Sequence, residues 1–247
     1  MKICVAQLQP TTGDVEKNIQ LHKRLIDVAV SLSADLIVFP ELSLTGYEPT
    51  LAKQLVTTVD DPRFDIFEQV SNEYQITIGL GMPIAADAGI NIAMICFIPG
   101  KPRQVYAKKY IHVDEESFFV SGKNTDTPVL RDRNIALAIC YEISIPAHAE
   151  DAFRRGGRIY LASVAKSTNG IESAQLRLAH IARTYSMMVL MANCTGIADG
   201  VVCAGKSSIW NTDGDLIAQL DDVSEGLLML DTETLDVKRY ITERVRN

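Results

Sequence analysis

The chain has 247 residues, 47% of them hydrophobic, with 24 basic and 31 acidic side chains and a formal net charge of -7. That size and apolar content support one sizeable core, so residues 1–247 read as a single domain. An acidic balance without a basic run argues against nucleic acid or an anionic membrane as main partner, and no apolar run approaches the roughly 20 residues of a membrane helix.

Lys2 to Gln9 (KICVAQLQ) reads as a strand, closed by the turn residues Pro10 to Gly13. Asp14 can cap a helix from Val15 to Leu32, whose Leu21, Leu25, Val28, Ala29 and Leu32 share one face. Asp35 to Phe39 is a short buried strand, and PELSLTGYEP after it is a loop. A second helix spans Pro62 to Tyr74, with proline in its first turn. Gln75 to Gly81 and Asn91 to Ile98 are strand-like and separated by a loop of small residues; Pro99, Gly100 and Lys101 then turn the chain into Gln104 to Lys109. Tyr110 to Gly122 is irregular. Asn134 to Cys140 is a buried strand, Ile145 to Arg155 a helix stopped by Gly156 and Gly157, and Arg158 to Ser163 another strand. Glu172 to Ser186 is an amphipathic helix, Met188 to Asn193 a strand, and a glycine-punctuated loop runs on to Gly205. Ser207 to Asn211 and Leu216 to Leu220 flank the Asp213-Gly214 turn as a hairpin, and Glu225 to Asp231 is the last strand before a charged tail. Helices covering a mixed sheet system, a layered α/β class, is the expected fold.

The stretch IALAICYEISIP (Ile135 to Pro146) organises the chemistry. A run this evenly apolar is a fully buried strand, and open α/β sheets keep their ligands at the C-terminal ends of such strands. Cys140 stands at that end, as a nucleophile or as a buried apolar residue. Two other segments also end strands with reactive side chains: Glu41 follows DLIVFP, where Pro40 stops the ladder, and a lysine pair lies within YAKKYIH.

Together FPELSLTGYEP, YAKKYIH and AICYE, in this order and in these strand contexts, resemble the nitrilase, or carbon–nitrogen hydrolase, superfamily. The resemblance extends from MKICVAQLQPTTGDVEKNI to the hairpin GKSSIWNTDGDLIAQL. It implies a four-layer α-β-β-α sandwich and a homodimer or higher homo-oligomer; the absence of metal-ligand spacing and of a glycine-rich phosphate loop gives the expectation of no metal and no cofactor. The activity implied is cleavage of a non-peptide C–N bond in a small amide, with N-carbamoyl amines and nitriles as alternative substrates and a catalytically silent interaction protein as the non-enzyme alternative. By the family's pattern the catalytic set is Glu41, Lys108, Glu115 and Cys140, with Lys109 at a variable position and Glu116 a near miss for Glu115.

The groups suggest their own roles. A thiol is mostly protonated at neutral pH, so Glu41 can take the Cys140 proton and return it to a departing amine. Lys108 and the Tyr141 backbone N–H can hold the oxyanion, and Glu115 can orient Lys108 or the substrate amide. Tyr47, Glu142, Ser163 and Val164 are substrate-side candidates: Tyr47 lines the pocket or packs on its loop, and Glu142 meets a substrate amine or forms a structural pair. Lys166 is a solvated lysine or a partner for a substrate carboxylate. The Asn193-Cys194 pair in MANCTG matches a position that, by the resemblance, buttresses the site, and Cys194 and Cys203 read as packing residues. A cysteine–histidine hydrolase fits less well, because His148 would stand roughly 12 Å along a helix from Cys140, His22 and His180 sit within helices, and His112 is in a loop. The five scattered cysteines read as reduced thiols, no metal-ligand spacing appears, and the N-terminus lacks a secretory h-region, so the expected compartment is the cytoplasm.

Overall fold

In the computed structural model, which describes residues 1–123, 129–130 and 134–242, strand β1 (Lys2–Gln7) shows why the chain forms layers. Its Ile3 and Val5 join one buried cluster while Cys4 and Ala6 join another, since successive side chains of a strand point to opposite faces. Strands β2 (Leu36–Val38) and β4 (Gly89–Phe97) divide in the same way: Leu36, Val38, Ile92 and Met94 face inward, Ile37, Ala93 and Ile95 outward. The outward set meets helices α1 (Val15–Ser31) and α3 (Asp65–Tyr74) through Ile19, Leu25, Ile26 and Phe67. Asp14 caps α1 as expected, accepting the Lys17 N–H at 3.0 Å.

With β3 (Thr77–Ala86), β5 (Gln104–Ala107), β14 (Gly226–Asp231) and β15 (Val237–Ile241), these strands form a seven-stranded sheet in the order β15-β14-β1-β2-β3-β4-β5. The second sheet has six strands, ordered β13-β12-β9-β8-β7-β6: β6 (Val129–Leu130), β7 (Ile135–Ile139), β8 (Ile159–Ser163), β9 (Met188–Ala192), β12 (Ser208–Trp210) and β13 (Leu216–Gln219). Its inner side chains meet those of the first sheet in one core. Helices α4 (Pro146–Arg154) and α5 (Ile171–Tyr185) add Ala149, Ala152, Leu178 and Ala182 to it, completing an α-β-β-α sandwich. β7, β8 and β9 run parallel at the centre and are almost wholly buried, which explains their unbroken apolar sequences.

Four local readings are corrected. The small-residue loop after Gly81 is instead continuous strand, with β3 and β4 joined only through Asp87 and Ala88. Pro83 is tolerated there because its carbonyl, and hence its missing N–H, faces Thr57 and not the β4 ladder. Within the glycine-punctuated loop, β10 (Thr195–Ala198) and β11 (Val201–Ala204) form a separate hairpin. The charged tail supplies the edge strand β15, whose exposed polar residues suit an edge; residues 243–247 of that tail lie outside the described residues. The loop after Glu41 also contains a short helix, α2 (Ala52–Leu55).

Candidate active site

Glu41, 67 residues before Lys108, converges with Lys108 and Glu115 at one buried point. Lys108 continues β5 by donating its N–H to the Ile92 carbonyl at 2.8 Å, and its carbonyl accepts the Gly122 N–H at 2.8 Å. Its ammonium donates to Glu41 Oε1 at 2.8 Å and to Glu115 Oε1 and Oε2 at 2.6 and 2.8 Å, with the lysine side chain wholly buried. Burial works against the Lys108 charge, yet Glu41, Cys140 and Glu115 together raise its pKa.

The loop carrying Glu41 fits only because position 81 is glycine. A Cβ there would lie 2.3 Å from the Leu42 nitrogen and 2.7 Å from the Pro40 carbonyl oxygen. That close approach lets the Leu44 N–H reach the Gly81 carbonyl at 3.1 Å, while Leu42 takes φ +51°. Glu115 ends a 3-10 turn, Val113–Glu115, and folds back to accept the His112 N–H on Oε2 at 2.8 Å. Tyr47 donates its hydroxyl to Glu115 Oε1 at 2.9 Å.

The two carboxylates are therefore unequal. Both Glu115 oxygens are taken by Lys108, and each carries a further donor. Glu41 uses Oε1 for Lys108, whereas its buried Oε2 has no well-formed hydrogen bond. The Cys140 thiol is the donor in loose contact with the Glu41 carboxyl. Burial raises the Glu41 pKa, and Lys108 opposes that rise.

Cys140 opens a 3-10 turn, Cys140–Ser144, at the end of β7, with φ +42°. A left-handed cysteine is strained by about 1 kcal/mol or more, and such strain is found where a fold must aim a side chain. Burial pushes the Cys140 thiol up to about 11, with the Glu41 charge adding to the rise; Lys166, Lys108 and the Ala165 N–H pull the other way. At neutral pH the sulfur keeps its proton, and the adjacent Glu41 carboxylate is a group able to accept it.

The structure brings Tyr47 to this group, and Tyr141 follows Cys140 directly, half-buried with its ring edge-on to His112 at 4.9 Å. It does not bring the other substrate-side candidates there. Glu142 is fully buried and committed to the framework: Oε2 accepts Tyr106 Oη at 2.5 Å and the Ile139 N–H at 2.7 Å, and Oε1 accepts the Lys109 N–H at 2.7 Å and the Tyr110 N–H at 3.4 Å. Ser163 donates to the Phe39 carbonyl at 2.8 Å, linking the second sheet to the first, and Val164 is a core side chain. In each case a polar or apolar need of the interior has already claimed the group.

Sequence reasoning missed the chain of buried groups behind Glu142. Tyr160 Oη lies 2.8 Å from His148 Nδ1, and His148 Nε2 lies 3.1 Å from Tyr106 Oη. His148 is held neutral by burial, its pKa lowered to about 4, so one consistent assignment has Tyr160 donating to His148, His148 to Tyr106, and Tyr106 to Glu142. The available signal was the i, i+2 relation of Tyr106 to Lys108, which places both on one face of β5. Asn193 and Cys194 follow β9, and Cys203 lies on β11. Asn193 ties Lys166 and Gly205 together, and Cys194 and Cys203 touch each other within a small cluster beside Tyr47 and Ala165. His22 is a core residue, near Asn18 O at 2.6 Å and Ser43 Oγ at 2.9 Å.

The sequence profile described as Carbon-nitrogen hydrolase matches residues 2–241. The chain belongs to the carbon-nitrogen hydrolase family. Among relatives of this family member, a glutamine-dependent NAD(+) synthetase of Thermotoga maritima is 26% identical over 226 residues, 88% of this chain and 39% of that protein. A second synthetase of that description, from Aquifex aeolicus, is 24% identical, so the chain spans 39% and 43% of the lengths of these two relatives. A hydrolase of the pqqF 5' region of Pseudomonas protegens is 26% identical over 99% of this chain and 89% of its own. In fold, the carbon-nitrogen hydrolase chain superposes on the amidase of Nesterenkonia sp. AN1, solved as a mutant in complex with butyramide. The TM-score is 0.85 at 22% identity, covering 95% of this chain and 91% of that one.

Proposed function

We propose that this chain, acting as one catalytic domain, hydrolyses a terminal carboxamide of a small molecule through a Cys140 thioester, releasing ammonia. The observation that carries this reading is that the Glu41 carboxyl meets the Cys140 thiol and keeps one oxygen, Oε2, without a hydrogen bond, in a site where both Glu115 oxygens are engaged. Glu41 takes the thiol proton as sulfur attacks the carbonyl carbon, then delivers it to nitrogen as the C–N bond breaks and ammonia leaves. In the second half Glu41 accepts a proton from water, the oxygen attacks the thioester, and the returned proton restores the thiol as the carboxylic acid departs. Lys108 and the Tyr141 N–H are the oxyanion donors, and Glu115 holds Lys108 in place with Tyr47 behind it. Relatives named for glutamine dependence, and the butyramide bound by the Nesterenkonia amidase, support a carboxamide as the reacting group.

Ammonia release from a panel of small amides, carbamoyl amines and nitriles tests the reading, with mass spectrometry of Cys140 for the acyl adduct. Cys140→Ala should release no ammonia from any of them while keeping its fold; turnover retained in that variant refutes the assignment. Carbon dioxide among the products would reassign the chemistry to carbamoyl hydrolysis. Uniform iodoacetamide labelling of all five cysteines would favour an interaction protein. The proposed working form is a homodimer, which light scattering checks.

A further inference from the structure

β7 and β8 are parallel and in register at Ile139 and Ser163, so both strands release the chain at the same rim. Cys140 leaves from one and Val164 to Lys166 from the other. The Ala165 N–H contacts the Cys140 sulfur. The Lys166 backbone is fixed on both sides: its N–H donates to Asn193 Oδ1 at 2.8 Å, and its carbonyl accepts the Ala204 N–H at 2.8 Å and Asn193 Nδ2 at 3.2 Å. Its stem passes Gly170, where a Cβ would lie 3.8 Å from Lys166 Cδ. A lysine anchored this firmly at its root has a restricted reach.

The head group differs from that of Lys108. Lys108 is neutralised by Glu41 and Glu115, but Lys166 Nζ has no hydrogen-bond or ion-pair partner among the described residues, although the side chain is half-buried. Its charge nevertheless acts on the Cys140 sulfur, ahead of that of Lys108. A partly desolvated ammonium without an acceptor is stabilised by an anion, and the register of β7 with β8 puts the root of this lysine at the rim that Cys140 ends.

We propose that Lys166 is a specificity-determining residue that receives a carboxylate on the substrate, so that the preferred substrates are amides bearing an anionic group, such as monoamides of short dicarboxylic acids. This rests on the reading of Cys140 as the nucleophile of an amide hydrolase. The matched probes are succinamate and butyramide, which have the same chain length and differ in a terminal carboxylate against a methyl group.

Wild-type protein should turn over succinamate with the higher kcat/KM, and Lys166→Met should lower the ratio of the two kcat/KM values by about tenfold or more, mainly through KM for succinamate. Using the ratio removes any shared effect of Lys166 on thiol reactivity. An unchanged ratio, or equal losses on both substrates, overturns the proposal. Calorimetry of the two amides with Cys140→Ala protein, with and without Lys166→Met, reads the subsite without turnover. Tighter succinamate binding that Lys166→Met erases supports it even if the hydrolase reading fails; equal or absent binding of both amides refutes it.

Discussion

Replacing Glu142 by glutamine separates a framework role from a substrate contact. The carboxylate accepts from Tyr106 Oη, the Ile139 N–H, the Lys109 N–H and the more distant Tyr110 N–H. A carboxamide has one oxygen and one NH2 group, so half of that acceptor set becomes a donor. With the oxygen kept toward Lys109 and Tyr110, the NH2 faces Tyr106, which can reverse its hydroxyl, and the Ile139 N–H, which cannot. A buried amide without its acceptor costs about 1–3 kcal/mol, and loss of the charge-assisted bonds adds to that, for an expected destabilisation of about 2–4 kcal/mol. The flipped amide would orphan the N–H groups of both Lys109 and Tyr110 and is worse. Because Ile139 precedes Cys140 and Lys109 follows Lys108, the loosening falls on the strands that carry Cys140 and Lys108, and on the proposed mechanism a misplacement near 1 Å can cost on the order of a hundredfold in kcat. Urea unfolding and steady-state kinetics on an active amide are the assays, with Tyr106→Phe, which removes one of the four bonds, expected to lie between wild type and Glu142→Gln. Wild-type stability and kcat with only KM raised would refute the reasoning and return Glu142 to the substrate.

Glu41→Gln should fold normally yet lose about 10²–10⁴ in kcat, since an amide cannot take the thiol proton; a loss under tenfold, measured by ammonia release, would exclude Glu41 as the base. Removing the Lys108 charge with Lys108→Met leaves two buried carboxylates facing each other and should destabilise the fold by about 3–5 kcal/mol, read by denaturant midpoint. Alkylation of Cys140 by iodoacetamide should keep accelerating above pH 9, because burial holds the thiol near about 11; a plateau below pH 8 would contradict that. Burial also holds His22 and His148 neutral, each with a pKa lowered to about 4 from 6.5. The unfolded chain therefore binds more protons between those values, so stability is complete above pH 6.5 and declines as pH falls toward 4, by at most about 3 kcal/mol per histidine. Unfolding free energies that stay flat over that interval would count against neutral buried imidazoles.

The layered fold was legible because β1, β7, β8 and α5 each carry an unambiguous apolar pattern, and because Glu41 and Cys140 directly follow strand ends. Lys108 and Glu115 were identified through the family resemblance, since a lysine pair beside three acidic residues offers no internal way to choose. The β3–β4 hairpin was hidden by Gly81, Pro83 and a run of alanines, whose weak strand preference is overridden by pairing along the full length of β4. Glu142, Ser163 and Val164 lie close to Cys140 or its rim in sequence, but nearness along the chain does not fix side-chain direction. Tyr106, the backbone donors and Phe39 already occupied the two polar ones.

Glu41 and Lys108 hang from the seven-stranded slab and Cys140 from the six-stranded one, with Ser163 bolting one to the other at Phe39. The proposed chemistry consequently depends on how two slabs seat against each other, and a lateral slip of well under one strand spacing would part sulfur from carboxylate with every ladder intact. Mild heating or pressure should thus silence turnover before circular dichroism registers any loss of secondary structure. Substitutions deep in the shared seam, far from any reacting atom, should act as rheostats on rate.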